Sequence, residues 1–271
     1  MVRGVLLVLI GCGVLLFFSG GTAAGKGFPF RAGETLTYDI RWGPFSVGEA
    51  VLSARHGQGK TGESGYLFEF QAESSGFFSF MNRMNTRIIS QTDGRITRSI
   101  SYMKQKGESG RERKELVRFD WNRYVARKTP SGPDSRPVYL PCPVLDPLSM
   151  YYAFRIHPPG IGKSVSRRVC DGKKVMRTRI FVGKGKRISV GAGVFNTVRI
   201  EQDLAGLDGI FPVVQGHPVV IWVTADEFRI PIRISTTTPF GRLNVELSRM
   251  EGVDFSPENA REENQASQNE F

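Results

Sequence analysis

Histidine, serine and carboxylate side chains are the residues of this 271-residue chain that could perform acid–base or nucleophilic chemistry. The three histidines, His56, His157 and His217, each lie beside a predicted strand end or loop. None of them is placed in sequence to activate Ser149, and the chain has neither a G-x-S-x-G elbow nor an H-E-x-x-H motif. The sequence therefore predicts no catalytic residue, no metal site and no cofactor, and we do not expect an enzyme.

Two pairs of carboxylates are the remaining candidates for acid–base catalysis. Asp226 and Glu227 are adjacent at a turn between strands, and Asp39 could face Glu49 across the first predicted hairpin. Paired carboxylates can hydrolyse glycosidic bonds, but only at a separation that the fold sets. Because polar residues at turns and on sheet faces are usually just solvated, we expect neither pair to be catalytic.

One glycine-rich loop, residues 57–62, matches the pattern G-x-G-x-x-G. A dinucleotide site needs a helix directly after the glycines, whereas a strand pattern follows here. We therefore interpret this stretch as a hairpin loop.

Arginines inside predicted strands are the stronger candidates for binding. Strand alternation sends Arg177 and Arg179 to the same face of the sheet. Such a face beside apolar residues could bind the anionic head group of a lipid, lipoprotein or glycolipid while the core holds acyl chains. The alternative is that these arginines cover the convex outer face and keep the protein in solution. The binding hypothesis selects Arg87, Arg118, Arg177 and Arg179, together with the aromatic residues Phe77, Phe78, Phe80, Tyr151 and Tyr152.

The element best placed to organise these residues is a helix predicted from Asp146 to Arg155. Asp146 can cap its N-terminus and Pro147 suits the first helical position, where a missing N–H is harmless. From Leu148 the apolar side chains are so dense that the helix must be covered on nearly all sides.

The rest of the chain reads as about a dozen strands separated by turn signals. We therefore predict a mainly β protein: one large curved antiparallel sheet, a half-barrel or open barrel, wrapped around the central helix. A two-sheet sandwich is the competing arrangement, but it leaves the apolar helix without a place. The apolar stretch 76–81 could be a short helix, a loop that plugs the core, or an exposed apolar lip.

The N-terminus predicts export. Arg3 precedes an apolar run from Val5 to Phe18 that is too short to span a bilayer, and small residues at 22–24 suit cleavage. We predict a cleaved signal peptide over residues 1–24, one β-rich domain over 25–255 and a disordered acidic tail over 256–271. The expected location is the periplasm, with association with the outer membrane left open.

Cys142 and Cys170 remain after cleavage, about 28 residues apart. In an oxidising compartment an even pair suggests one disulfide, and two separate buried thiols are the equal alternative.

The chain is strongly basic, with a formal charge of +11 at pH 7. Residues 256–271 contribute a net −3 and the signal peptide +1, so the folded body carries about +13. Such a charge favours encounter with anionic partners, among which membrane and glycan partners come first because exported proteins rarely meet nucleic acid. Peripheral contact with a membrane is one expectation, and a simply soluble basic surface is the other.

Four stretches in order resemble a known family. They are Gly33–Gly43 followed by Val47-Gly48-Glu49-Ala50, then Asp146-Pro147-Leu148-Ser149, then Val190–Thr197, and finally Trp222–Asp226. Together they are similar to the bacterial exported family called domain of unknown function 3108, over about Phe28 to Val253. The resemblance implies a location in the cell envelope and supplies no catalytic residues. We expect structural roles for Trp42, Gly48, Asp146 and Pro147.

Two functional hypotheses follow. The first is a non-catalytic protein that binds or moves an anionic amphiphile, with a cavity near Phe77–Met81 and the helix and with arginines at its rim. The second is a structural or protein-interaction module of the envelope with a filled core and no small-molecule ligand.

Overall fold

The computed structural model describes residues 27–58, 64–76, 84–108, 110–130, 136–203, 217–238 and 241–253. The predicted signal peptide, the predicted acidic tail and the aromatic residues Phe77, Phe78 and Phe80 lie outside these ranges.

Fifteen strands and one helix make up the described part of the chain. The strands are β1 (Thr35–Trp42), β2 (Phe45–Gln58), β3 (Ser64–Ser74), β4 (Met84–Asp93), β5 (Ser99–Glu108), β6 (Arg111–Asp120), β7 (Val125–Thr129), β8 (Val138–Tyr139), β9 (Ser164–Cys170), β10 (Val175–Gly183), β11 (Arg187–Val190), β12 (Gly193–Gln202), β13 (Val219–Thr224), β14 (Pro231–Thr238) and β15 (Gly241–Glu251). The helix is α1 (Ser149–Ile156).

The strands form a single antiparallel sheet. Its order is β8-β7-β6-β5-β4-β3-β2-β1-β15-β14-β13-β12-β10-β9, and β11 pairs with β12 beside this path. The first and last parts of the chain meet in the middle, where β1 pairs with β15. The prediction of one large open antiparallel sheet is therefore confirmed, and the sandwich is not formed.

Alternating side chains give the sheet its apolar inner face. On β3, Phe68 and Phe70 are buried whereas Gln71 is exposed, as the period of two requires. Gly48 on β2 sits opposite β3 where a Cβ atom would lie 2.3 Å from the Glu73 carbonyl oxygen. Only glycine allows these two strands to approach so closely at that position.

Helix α1 lies against the inner face and contacts both halves of the sheet. Tyr151 packs near Leu52 and Phe70 of the first half. Met150 packs near Ile180 and Ile200 of the second half. The helix therefore fills the interior of the curved sheet, as its dense apolar pattern predicts.

The helix begins later than predicted, at Ser149 rather than at Asp146. Asp146 nevertheless caps it, because its carbonyl oxygen accepts the Met150 N–H at 3.0 Å and its carboxylate accepts the N–H groups of Leu148 and Ser149. The residues between the cap and the helix form a turn, which accounts for the shift in the boundary.

The segment before α1 joins the two sides of the open sheet. The carbonyl oxygen of Val144 accepts the N–H of Ser99, and that of Leu145 accepts the N–H of Cys170 on the edge strand β9. Leu145 also forms a parallel bridge with Val169. The segment that leads into the helix is thereby attached to β5 in one half of the sheet and to β9 at the far edge of the other half. No helix within the described ranges is long and apolar enough to cross a bilayer.

Candidate functional site

The N-terminal end of α1 is held by a buried carboxylate. Asp146 accepts hydrogen bonds from the hydroxyls of Ser90, Ser99 and Ser149 at 2.6, 2.5 and 2.8 Å. Its other oxygen accepts the N–H groups of Leu148 and Ser149 at 2.9 and 3.0 Å. Asp146 and the three serines are at most 1 % exposed, so this cluster fixes the helix to β4 and β5 and offers a ligand no access.

The C-terminal end of α1 is held by a buried ion pair. Arg155 donates through Nη1 and Nη2 to the two carboxylate oxygens of Glu34, at 2.5 and 2.9 Å. It also donates to the carbonyl oxygens of Pro29 at 2.8 Å and of Phe228 at 3.0 Å. Burial alone would lower the pKa of Arg155, but the Glu34 carboxylate outweighs it and raises that pKa. One side chain thus joins the helix, the start of β1 and the turn between β13 and β14.

A cavity of about 1240 Å³ opens beside this ion pair. It lies at the end of the barrel where β1 starts, β2 and β4 end, and the β13–β14 turn passes. Its lining includes the aromatic residues Phe28, Phe30, Tyr66 and Phe228, the arginines Arg31, Arg95 and Arg229, the histidines His56 and His157, and the carboxylates Glu34 and Glu227.

One wall of the cavity is aromatic. The Phe28 and Phe30 rings stack with centroids 5.6 Å apart, and Tyr66 meets them edge-on at 5.3 and 5.7 Å. Behind this wall, Tyr152 stacks on Phe68 at 3.8 Å. The Arg155 guanidinium lies 5.3 Å from the Phe30 ring centroid, a cation–π distance that links the wall to the ion pair.

Arginine side chains stand at the other side of the cavity. Arg229 adopts a left-handed backbone conformation with φ of 48°. The preceding turn holds it there, because the Asp226 carboxylate accepts the N–H groups of Phe228 and Arg229 at 2.9 and 3.2 Å. Burial lowers the pKa of Arg229, an effect that Asp226 and Glu227 oppose. The half-buried guanidinium is therefore held in place by the backbone and carries a cost of desolvation.

The net charge of the cavity lining is positive. Arg31, Arg95 and Arg229 contribute three positive charges. Of the two lining carboxylates, Glu34 is already neutralised by Arg155. With the Glu227 carboxylate counted against the three arginines, the formal charge of the lining remains positive and favours an anionic ligand.

The cavity also brings together His56 and His157, which are 101 positions apart in the sequence. Neither ring has a hydrogen bond to a hydroxyl or carboxylate of a described residue, so no Ser–His pair of nucleophile and general base is formed among these residues. Within the described ranges, no group of three or more His, Cys, Asp or Glu side chains is arranged to hold a metal ion.

The family model for the protein of unknown function DUF3108 matches residues 37–248, which is most of the chain. The chain belongs to the DUF3108 family. The resemblance drawn from the four sequence motifs is thereby confirmed.

A solved β-barrel-like structure is similar to this DUF3108 protein in fold. A β-barrel-like protein of the domain of unknown function DUF1849 from Brucella abortus is 12% identical, with a TM-score of 0.54 over 83% of this chain and 100% of that one. A Bacteroides fragilis protein with a YmcC-like fold is 13% identical over 83% of this chain and 98% of that one, with a TM-score of 0.32. No curated protein matches the chain.

The DUF3108 motifs meet around α1 and the cavity. Glu34 from the opening motif accepts hydrogen bonds from the Arg155 guanidinium, and Asp146 from the second motif caps the helix. Asp226 from the last motif forms the turn that holds Arg229. Trp42, by contrast, lies at the opposite end of β1 and is 37% exposed.

The arginines selected from the sequence lie on the outer face of the sheet and do not line the cavity. Arg177 and Arg179 are exposed on β10, where the intervening Thr178 and the following Ile180 are buried. Arg87 pairs with Glu69 at 2.6 Å, and Arg118 is exposed on β6. The structure thus corresponds to the alternative in which these arginines cover the convex surface.

The aromatic candidates are also placed differently from the binding hypothesis. Tyr152 is fully buried and Tyr151 lies between the helix and the sheet, so both belong to the core. The cavity lies at the end of β3 and β4 that carries Tyr66 and Arg95, and Phe77–Met81 fall outside the described residues.

The carboxylates considered for catalysis have other positions. Asp39 and Glu49 are direct cross-strand partners, as predicted for the first hairpin, and they lie on the outer face between Glu246 and Glu73. Asp226 is bound by its own turn, and Glu227 alone of these four lines the cavity.

The two cysteines are free thiols in the structure. Cys142 is half-buried and receives a contact from Arg168 Nη1 at 3.4 Å, whereas Cys170 is buried. Burial raises the pKa of the Cys170 thiol to about 11.

Sequence reasoning missed the residues that form the cavity. Phe28, Phe30 and Arg31 belong to none of the elements predicted from the sequence, and Arg155 enters the prediction only as the last residue of the helix. The two aromatic residues of Phe28-Pro29-Phe30, a few residues after the expected cleavage site, are the signal that could have indicated a packed segment.

Proposed function

We propose that this protein binds an amphiphile with an anionic head group in the cavity between Phe30 and Arg229, without converting it chemically. The observation that carries the proposal is a large open cavity with one aromatic wall and three arginines. Small-molecule sites are commonly apolar concave spaces of about 300–1,000 Å³ with a few convergent polar groups, and this cavity is somewhat larger.

The two sides of the cavity suit the two parts of such a ligand. The Phe28, Phe30 and Tyr66 rings offer apolar contact area to a hydrocarbon or a sugar face. Arginine guanidinium groups bind phosphate and carboxylate groups through paired hydrogen bonds. An anionic lipid, lipoprotein or glycolipid shares this chemistry, and its expected setting is the cell envelope, outside the cytoplasm.

Arg95 is the most direct test residue, because it is exposed at the cavity and has no ion-pair partner among the described residues. We expect native mass spectrometry of protein purified gently from the envelope to show a bound amphiphile, recoverable by solvent extraction. The Arg95→Gln variant is expected to lose most of it. Arg177→Gln, which removes a cation from the outer face, is the matched control and is expected to keep it.

A ligand-free wild-type protein that also fails to bind lysophosphatidylglycerol in solution would contradict the proposal. Equal retention by Arg95→Gln and Arg177→Gln would show that general charge, and not the cavity, attracts the amphiphile.

A structural or protein-interaction role is favoured by a separate observation. Trp42 and Phe45 are cross-strand neighbours at the other end of the barrel and are 37% and 62% exposed. Exposed aromatic residues of this kind are typical of interfaces. A photo-crosslinking amino acid at position 45 is expected to capture a partner in the native envelope if this end of the barrel is an interface, and no crosslinked product otherwise.

A further inference from the structure

A second groove lies at the same end of the barrel, on the other side of Arg229. It has a volume of about 290 Å³ and is lined mainly by apolar side chains. They include Phe154 of α1, Ile161 after it, Val182 of β10, Val198 and Ile200 of β12, and Val223 of β13. Ile161 is 58% exposed there, so the groove presents apolar surface to solvent that a hydrocarbon would cover.

Arg229 is common to the groove and the cavity, and it lines both. Its hydrogen bonds to the carbonyl oxygens of Arg155 and Glu227, at 2.9 and 2.8 Å, both use Nη1. No described residue accepts a hydrogen bond from Nε or Nη2 of Arg229, so both groups can bind an anionic group at the junction. An anion bound there would have the aromatic cavity on one side and the apolar groove on the other.

We infer that the cavity and the groove hold one ligand, with the anionic group at Arg229 and an acyl chain of that ligand in the groove lined by Val198 and Ile200. This inference rests on the proposed function. It adds that the acyl chain binds in a site of its own, the groove, and that the volume of the groove limits the length of chain that can be buried. An acyl chain fits the groove because the groove has an apolar lining and is continuous with the cationic cavity through Arg229.

The size of the groove predicts a limit on chain length. We take the volume of a methylene group as about 30 Å³, similar to that of a water molecule in the liquid. A groove of about 290 Å³ then accommodates roughly ten methylene groups. Each buried methylene is worth about 0.8 kcal/mol, so affinity is expected to rise about fourfold per added carbon up to that limit and to level off beyond it.

The experiment measures binding of lysophosphatidylglycerols with acyl chains of increasing length to the mature protein, below their critical micelle concentrations. Two variants fill the groove: Ala225→Phe at its exposed mouth and Val198→Phe inside it. Val194→Phe places the same ring on the same strand at a residue that is 51% exposed and does not line the groove. Both groove variants are expected to lose the dependence on chain length, whereas Val194→Phe keeps it.

The outcomes separate the inference from the proposal beneath it. If the groove variants keep the wild-type dependence on chain length, the acyl chain lies elsewhere and the inference is overturned while the cavity remains a binding site. If no lysophosphatidylglycerol binds the wild-type protein, both the inference and the proposed function fail. Ala225→Phe alters an exposed residue, so it gives a result even if Val198→Phe does not fold.

Discussion

A fully buried carboxylate holds each end of α1. The two carboxylates differ in the groups that donate hydrogen bonds to them. Asp146 accepts hydrogen bonds from three serine hydroxyls, on β4, on β5 and on the helix itself, and from two backbone N–H groups. Glu34 accepts hydrogen bonds from the guanidinium of Arg155, which is 121 positions away in the sequence. The first arrangement is closed, whereas the second borders the cavity.

The different donors to Asp146 and Glu34 indicate different structural roles for the two ends of the helix. The Asp146 carboxylate accepts hydrogen bonds from uncharged groups only, and these fix the helix to the two neighbouring strands β4 and β5. A buried arginine with two carboxylate bonds and two carbonyl bonds instead fixes three separate segments at one rim of the barrel. The rim around Arg155 is therefore rigid where the proposed ligand would bind, and rigid sites bind at a lower entropic cost.

The largest effect is expected from Arg155→Met, which leaves Glu34 buried without a cation. Removing one partner of a buried ion pair costs about 3–5 kcal/mol, and the carbonyl oxygens of Pro29 and Phe228 also lose their donor. Urea denaturation monitored by circular dichroism measures the change in the free energy of unfolding. Arg177→Met on the outer face is the control, expected to change it by less than about 0.5 kcal/mol. Similar values for both variants would contradict the distinction between buried and outer arginines.

A smaller loss is expected from Asp146→Asn. The amide group replaces one acceptor oxygen with a donor that faces the serine hydroxyls, and leaving a buried group unsatisfied costs about 1–3 kcal/mol. The same denaturation experiment measures this change. Amphiphile binding at 25 °C is expected to stay at the wild-type level, since the cavity lies at the other end of the helix; a parallel loss of binding would show that the two ends are coupled.

A third carboxylate, Glu69, is paired with arginines on the outer face of the sheet. Its contribution to the free energy of unfolding is expected to depend on pH. Burial would raise the pKa of Glu69, but hydrogen bonds from Gln71 and Arg87 and the charges of Arg87 and Arg55 outweigh it and lower that pKa. Because the folded-state pKa is the lower one, the stabilisation is fully present above the unfolded pKa and is lost as the pH falls through the folded value.

Glu69→Gln is therefore expected to cost about 1 kcal/mol at pH 7 and to approach no cost in strong acid. Denaturation midpoints of the wild type and the variant across the acidic range measure this convergence. A difference that stays constant with pH would mean that the carboxylate charge does not contribute.

The smallest effect concerns Cys170, which lies near the Asp146 end. Burial and the neighbouring carboxylates raise its pKa, although a backbone hydrogen bond from Gly172 opposes them. Since the thiolate is the reactive form, Cys170 is expected to react with iodoacetamide only after unfolding, whereas the half-buried Cys142 reacts in the native state. Mass spectrometry of the alkylated protein, with and without prior reduction, distinguishes this outcome from the disulfide considered on the sequence, in which neither thiol would react before reduction.

Much of the architecture could be predicted from local patterns. Alternation along β3 and turn signals such as Asp93-Gly94 depend on neighbouring residues, so the sequence displays them directly. The helix was predicted from the same kind of local signal, and its start was misplaced by three residues because the Asp146 cap is followed by a turn.

The candidate site could not be predicted in the same way. Arg177 and Arg179 were correctly placed on one face of a strand, but alternation does not say which face is concave. The cavity residues Phe30, Arg95 and Arg229 belong to three separate turns and termini that share one end of the barrel.

The sequence by itself determined that this chain forms many antiparallel strands around one apolar helix, because period-two alternation and helix capping act over a few residues. Only the tertiary structure decided which arginine is buried, which are exposed and where the interior opens. Those outcomes depend on the order of the strands and on the direction in which the sheet curves. The strand order places Glu34 beside Arg155 and leaves the cavity at their side.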